Sequence, residues 1–261
     1  MANNAPYTPK LPPAPSSFRK PLSRVFPAAR WASCHFSFGQ LAGIRFYLHS
    51  SWFIIFLASS ITLALAFHDA SPHWSMAQSA FAAVITALLF FTSLILHELG
   101  HAVVAMKHGI PVYSITLFIF GGVARIGREP DSARAEFQVA IAGPLVSVAL
   151  SVFFFLLYGL TLTHFDRAAT IFETLVVVNL VIAVFNLLPG FPLDGGRVLR
   201  AAVWKVTGDR GRAHRWAMVC GRGVALSLIG FGLALMFYFM YPLNGLWMIG
   251  IGGFILVSGK N

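Results

Sequence analysis

Charged residues are scarce in this chain: they make up 11% of its 261 residues, and only nine residues are acidic. An ordinary globular domain carries about 25% charged residues, so this chain has too little charge to cover a water-exposed surface. It is 57% hydrophobic, with a mean hydropathy of +0.74. This composition excludes a soluble nucleic-acid-binding protein with a basic surface and indicates a protein embedded in a membrane.

Cysteine is almost absent as well. The two cysteines, Cys34 and Cys220, lie far apart and show no paired spacing. They therefore indicate neither a disulfide framework nor a zinc site built from cysteine thiolates.

Six long apolar runs follow one another along the chain, most of them close to the roughly 20 residues that a membrane-spanning helix needs. They cover residues 51–67, 76–106, 137–163, 170–189, 217–241 and 243–258. We therefore predict an all-α membrane protein with about six transmembrane helices. Residues 115–126 are rich in residues that favour strands, and they predict a small membrane-associated β element between spans two and three.

Nineteen basic residues outnumber the nine acids and give a formal net charge of +10. If six spans place both termini on one side, 18 of the basic residues face that side and Arg167 alone faces the other. Because basic loops stay in the cytoplasm, we predict a multi-pass protein of the cell (inner) membrane with both termini cytoplasmic. The basic loops are then expected to contact membrane lipid, and no nucleic acid is expected as a partner.

Residues 1–38 are rich in proline, serine and alanine, contain no acid and lack an apolar core. We interpret them as a disordered cytoplasmic tail and residues 39–261 as one polytopic membrane domain. An acid-free segment with serine and arginine is also typical of an organellar transit peptide, which is the less favoured interpretation.

The second apolar run ends in the sequence His97-Glu98-Leu99-Gly100-His101. Positions four apart lie above one another on one helical face, so the two histidines can offer imidazole nitrogens to one ion. Glu98 lies about 100° further round the helix, where its carboxylate reaches a bound water instead of the metal. Ionisable groups at membrane depth are costly unless they are paired or bound. We therefore predict a zinc site with one Zn²⁺ per chain.

A zinc site with two histidines needs a third protein ligand. The segment 186–197, NLLPGFPLDGGR, follows span four on the same side of the membrane as the two histidines, and its prolines break the helix. Its carboxylate, Asp194, lies between a leucine and two glycines. Two interpretations stay open from the residues alone: Asp194 is the third ligand, or it is the first residue of an Asp-Gly turn.

Together, the motif at 97–101 and the segment 186–197 resemble the site-2 protease family of intramembrane zinc metalloproteases. This resemblance implies that His97, His101 and Asp194 bind the metal. It also implies that Glu98 is the catalytic residue, acting as general base and general acid. Asn186 would bind the substrate or donate to its oxyanion, which a side-chain amide can do; the alternative is an amide that bonds the broken backbone nearby. The resemblance covers about residues 39–258.

Two further stretches resemble family patterns. Gly143 and Ser147 match a G-x-x-x-S pattern of small residues in span three, which we interpret as helix packing. Residues 115–126 match β-hairpins that dip into the membrane, and an exposed strand edge there offers hydrogen bonds to an unwound substrate segment. No segment matches a PDZ insert or a C-terminal regulatory domain, so we expect a short form of the family.

The resulting hypothesis is an intramembrane zinc endopeptidase that hydrolyses a peptide bond within a transmembrane segment of a membrane-anchored protein, as in regulated intramembrane proteolysis. The family implies single-span substrates such as anti-sigma-factor-like regulators or signal-peptide remnants. One alternative is a zinc-binding membrane scaffold or chaperone without protease activity, for which Glu98 has no use. The other is a metal transporter, which needs ionisable residues along several spans.

Overall fold

The structure is a computed structural model that describes residues 35–41, 43–119 and 121–258. Most of the segment interpreted as a tail, residues 1–34, lies outside the described residues, whereas residues 35–38 form the start of a strand. The elements in chain order are β1 (His35–Leu41), β2 (Ile44–His49), α1 (Ser51–Ala70), α2 (Met76–Lys107), β3 (Val112–Phe118), β4 (Gly121–Ile126), α3 (Ala133–Thr161), α4 (Asp166–Asn186), α5 (Asp194–Thr207), α6 (Arg210–Phe237) and α7 (Pro242–Ser258).

Within the described ranges, five helices are long and apolar enough to cross a membrane: α1, α2, α3, α4 and α6. α7 is a shorter apolar helix of 17 residues. Large apolar side chains point outward from the long helices, among them Leu57 in α1, Leu160 in α3 and Phe231 in α6, as expected for surfaces that contact lipid. The predicted class, a helical multi-pass membrane protein with a small β element, is confirmed.

A four-stranded sheet has the strand order β1-β2-β3-β4. β3 and β4 form an antiparallel hairpin at the place where the sequence predicts a β element. β2 runs parallel to β3, with Arg45 opposite Ser114 and Leu48 opposite Leu117. The sheet therefore joins chain segments from before α1 and after α2. β1 and β2 are absent from the prediction, although Gly43 between two strand-favouring stretches is a hairpin signal.

The sheet packs against the half of α2 that carries the H-E-L-G-H motif. Ile44 and Ile115 of the sheet, Ala102 of α2 and Val139 of α3 are buried in one apolar cluster. This shared core fixes the sheet relative to both helices. It holds β4, an edge strand of the sheet, beside the motif.

α5 occupies residues that the charge pattern assigns to a cytoplasmic loop. It is amphipathic: Arg200 and Ala201 are buried, whereas Lys205 and Val206 are exposed. The helix ends at Gly208, whose φ of 68° is the left-handed conformation that commonly terminates helices. α5 packs against α3 and α6, so its first residue, Asp194, lies against the helical bundle.

α6 and α7 pack closely because glycines lie where they cross. A Cβ atom on Gly232 would lie 2.7 Å from the carbonyl oxygen of Gly245, and one on Gly245 would lie 2.4 Å from the carbonyl oxygen of Gly232. At such distances any side chain would push the two backbones apart. Close approach of two apolar helices in a membrane requires small residues of this kind.

We expect Gly245→Val to separate α6 from α7 and to lower the free energy of unfolding by about 1–3 kcal/mol, the usual cost of overpacking. Gly250→Val in the same helix is the matched control, because a Cβ atom there meets nothing within 4 Å. Thermal unfolding of the detergent-solubilised protein measures both. Equal melting temperatures for the two variants would contradict this packing.

Candidate metal centre

α2 presents two imidazoles on one buried face. His97 and His101 are one helical turn apart and are 3% and 6% exposed, so water has little access to either ring. Their Nε2 atoms lie 3.2 Å from each other. This is the i, i+4 arrangement that the sequence predicts, and both rings point to the same place.

Asp194 approaches the two imidazoles from the start of α5. Its Oδ2 atom lies 3.2 Å from Nε2 of His97 and 3.1 Å from Nε2 of His101. Asp194 is brought there by a tightly wound loop, in which a Cβ atom on Gly195 would lie 2.3 Å from the carbonyl oxygen of Leu187. Only glycine allows the start of α5 to approach the preceding loop this closely.

The three ligand atoms match the donor set and the spacing of a zinc site. Zinc binds nitrogen and oxygen at about 2.0–2.2 Å in tetrahedral geometry, which separates neighbouring ligand atoms by about 3.3 Å. The observed separations of 3.1–3.2 Å are close to that value. These residues are a buried His-His-Asp group of the kind that holds a metal ion.

The other ring nitrogens of both histidines are held from behind by α3. Nδ1 of His101 donates to the carbonyl oxygen of Val139 at 2.7 Å. Nδ1 of His97 is hydrogen-bonded to the hydroxyl of Ser147 at 2.9 Å. The bond to a carbonyl places the proton of His101 on Nδ1 and leaves a lone pair on Nε2, directed at the ligand cluster. These bonds fix the orientation of both rings, with both Nε2 atoms directed at Asp194.

Gly143 of α3 lies directly against the ligand atoms. A Cβ atom at this position would lie 2.2 Å from Nε2 of His101 and 2.6 Å from Nε2 of His97. The spacing of Gly143 and Ser147 predicts a role in helix packing, and in the structure both residues also lie at the site. Gly143 makes room for the ligand atoms, and Ser147 orients one of the rings.

A cavity of about 260 Å³ opens on the ligand cluster. Glu98 lines it next to the two histidines, and Asn186, the last residue of α4, lines it as well. Asn186 is half-buried, and its amide makes no hydrogen bond within the described part of the chain. The opposite wall includes β4, where a Cβ atom on Gly122 would lie 2.5 Å from Cγ of Glu98. Glu98 therefore lies between the ligand cluster and an edge strand.

A buried ion pair links the two elements that support the site. Glu136 of α3 is completely buried and bonds the guanidinium of Arg200 in α5, which is 7% exposed. Arg200 also lies over the ring of Phe191 at 5.0 Å. Glu136 is one turn from Val139, and Phe191 lies in the loop before Asp194, so the pair ties α3 to the approach of the third ligand. No local motif indicates this pair, because the two residues are 64 positions apart in the chain.

A bundle of membrane-spanning helices with a buried His-His-Asp group beside a glutamate defines a class: polytopic membrane proteins with an internal metal site. The chain matches peptidase family M50 over residues 85–168 and 161–230. It belongs to this family, and the predicted resemblance to site-2 proteases is confirmed.

Relatives and a solved structure agree with this membership. A protein of Synechocystis sp. that is named as a zinc metalloprotease is 40% identical over 224 residues, covering 84% of this chain and 57% of that protein. A zinc metalloprotease of Methanocaldococcus jannaschii is 36% identical over 194 residues, covering 74% and 52%. The chain thus spans about half the length of these relatives. The solved site-2 protease from Methanocaldococcus jannaschii aligns with a TM-score of 0.58 and 27% identity, covering 87% of this chain and 94% of that one.

We expect Gly143→Ala to abolish zinc binding, because the added methyl group would occupy the space beside both Nε2 atoms. Gly159→Ala in the same helix is the matched control, since a Cβ atom there meets nothing within 4 Å. Zinc content of the purified protein, measured by elemental analysis, distinguishes the two. Equal zinc content in both variants would show that α3 does not limit the ligand cluster.

Proposed function

We propose that this protein is an intramembrane zinc endopeptidase that cuts a peptide bond within a transmembrane segment of another membrane protein. The observation that carries this proposal is the convergence of Nε2 of His97, Nε2 of His101 and Oδ2 of Asp194 within 3.1–3.2 Å, beside the carboxylate of Glu98. A purely structural zinc site has four protein ligands, whereas a catalytic site has three and an open position. Three ligands facing a cavity support the catalytic kind.

Each side chain has a role that its position supports. Zinc in a site of this kind polarises the substrate carbonyl and lowers the pKa of a water molecule to about 7. Glu98 accepts the proton of the attacking water and then donates it to the leaving amine nitrogen, as a general base and acid. Asn186 donates its side-chain amide to the carbonyl oxygen on which negative charge develops. Its amide lines the cavity and makes no hydrogen bond among the described residues, which supports this role over the alternative of an amide that bonds the broken backbone.

The free edge of β4 offers a place for the substrate backbone. A helical peptide bond has both polar groups bonded within the helix, so a transmembrane segment must unwind before it can be cut. β4 is the last strand of the sheet, and its residues Gly122, Val123 and Ala124 line the cavity beside Glu98. An unwound segment that pairs with this edge satisfies its backbone groups and passes the zinc ligands.

The distribution of charge supports an orientation with both termini in the cytoplasm of the cell (inner) membrane. Arg167 lies over the ring of Trp74, which in turn donates to Asp166, so these residues mark one end of the bundle. The remaining basic residues lie in the segments assigned to the opposite side, including α5, and positive loops stay inside. Substrates are then single-span proteins, such as anti-sigma-factor-like regulators or signal-peptide remnants, cut in the cytoplasmic half of the bilayer.

We expect Glu98→Gln to reduce cleavage by about 10²–10⁴-fold, the usual contribution of a general acid–base, while zinc content stays unchanged. Asp194→Ala is expected to lose zinc as well as cleavage. Co-expression with a panel of tagged single-span membrane proteins, followed by immunoblotting and elemental analysis, measures both effects.

Glu173→Gln is the control for removing a carboxylate from the bundle, because Glu173 is exposed on α4 and lines neither the cavity nor the cluster. Cleavage that persists in zinc-loaded Glu98→Gln would refute the mechanism. If the wild-type protein binds zinc but cleaves none of the candidate substrates, the scaffold alternative is favoured.

Proline on the β4 edge tests the substrate-binding strand. We expect Ala124→Pro to lower cleavage about tenfold, since Ala124 lies opposite Ile115 in a pair whose backbone groups face away from β3, and each lost backbone hydrogen bond costs about 1 kcal/mol. Phe38→Pro on β1, the opposite edge of the same sheet, is the matched control. Thermal unfolding verifies that both variants are folded. Equal cleavage by the two folded variants would exclude β4 as the binding edge.

A further inference from the structure

Beside the site cavity lies a second cavity of about 270 Å³, for which the proposed reaction has no use. Both cavities are lined by Ile126, Pro192 and Arg197, so they are neighbours. Most of the exposed surface of the second cavity is apolar and includes Phe191 and Met218, while Glu129, Arg200, His214 and Ser258 also line it. A chain held in the first cavity therefore has an adjoining space that can receive one of its side chains.

Arg197 is the charged residue common to both cavities. Its side chain is half-buried, and its charge interacts with that of Glu98 in the site cavity, but it makes no direct hydrogen bond or ion pair within the described part of the chain. Arg200, which also lines the second cavity, pairs with Glu136, and Arg210 pairs with Glu129. A partly buried guanidinium without an acceptor is unfavourable, and its planar pair of N–H groups matches a carboxylate. Arg197 is therefore available to an anionic group that enters from outside the chain.

A second donor on the same wall has no partner in the part of the chain that the structure describes. The hydroxyl oxygen of Ser258 is buried, lines the second cavity and has no hydrogen-bond partner among the described residues. Native structures rarely leave such a group unsatisfied, and a bound water or ligand is the usual explanation. Glu129, the acid on this wall, is already bonded to Arg210. The wall thus offers donors to an oxygen acceptor, and its acid is already paired.

β4 leads from the reaction site to the second cavity. Gly122 lies against Glu98, and Ile126, the last residue of β4, lines both cavities. Ile126 is four positions after Gly122, a distance of about 13 Å at about 3.3 Å per residue. A substrate strand paired with β4 therefore reaches the second cavity about four residues from the bond beside Glu98.

We propose that the second cavity is a substrate subsite for an acidic side chain, aspartate or glutamate, about four residues from the scissile bond, and that Arg197 binds its carboxylate. This subsite rests on the proposed protease function, since it concerns the substrate of the same zinc site. The apolar wall receives the methylene groups of the side chain, and the guanidinium binds its charged end. A basic side chain at the same position is repelled.

The test uses the full-length protein and a tagged single-span substrate whose cleaved bond has been mapped by mass spectrometry. Glutamate, glutamine, leucine or lysine is placed in turn at positions two to six on each side of that bond. We expect glutamate to be preferred over lysine by about tenfold or more at one position near the fourth. Arg197→Gln removes this preference, and Arg197→Glu reverses it in favour of lysine.

Arg222→Gln is the matched control, because Arg222 is an exposed arginine of α6 that lines neither cavity. It is expected to keep the preference for glutamate. The proposal is overturned if no substrate position shows a charge preference, or if Arg197→Gln slows cleavage equally for all four side chains. In the latter case Arg197 acts on the reaction or on folding and not on substrate choice.

Disulfide crosslinking separates failure of the subsite from failure of the protease. In the Glu98→Gln variant, Cys34 and Cys220 are replaced by serine, and Met218→Cys then places a single thiol on the wall of the second cavity. A series of tagged substrates carries one cysteine each, at successive positions along the transmembrane segment. The subsite is supported, even without cleavage, if the crosslink forms only with substrate cysteines near the fourth position from the cleaved bond. A glutamate next to that cysteine should strengthen the crosslink, and Arg197→Gln should remove this gain. No crosslink at any position overturns the subsite, whereas persisting cleavage by the wild-type chain leaves the protease function intact.

Discussion

The contact between α3 and the two histidines of α2 is the constraint on which the rest of the site depends. Gly143 gives the Nε2 atoms their space, and one turn to either side α3 supplies the acceptor of His101 and the hydroxyl that holds His97. The same stretch of helix thus makes room for the ligands and orients them. Because ring orientation decides where the lone pairs point, a small shift of α3 would disperse the cluster even with all three ligands present.

The third ligand depends on a separate set of contacts. Asp194 starts a short amphipathic helix, and the glycine after it allows the loop to fold back onto that helix. Glu136 and Arg200 then connect this helix to α3 through an ion pair that is almost fully buried. Breaking such a pair by removing one partner typically costs about 3–5 kcal/mol, because it leaves an isolated buried charge. The pair therefore couples the position of the carboxylate to that of the imidazoles.

The sheet determines how β4 runs past the site. It is anchored to α2 and α3 by a common apolar core, and its edge strand passes Glu98 and ends where the two cavities meet. Proposed catalysis and proposed substrate choice are thus arranged along one strand. In this proposal, the subsite selects a substrate residue by its distance from the cleaved bond along the extended chain.

Local patterns in the sequence determined the apolar spans, the pair of histidines with Glu98, and the hairpin after α2, because each depends on residues within one helix or one turn. The same patterns left Asp194 open between ligand and turn residue, and they interpreted Gly143 as packing alone. The tertiary structure brings Asp194 to the imidazoles, as the resemblance to site-2 proteases implies, and it alone decided that β2 joins β3 and that Glu136 pairs with Arg200. These contacts join residues tens of positions apart in the chain, and their geometry follows from how helices and sheet pack, which no local periodicity encodes.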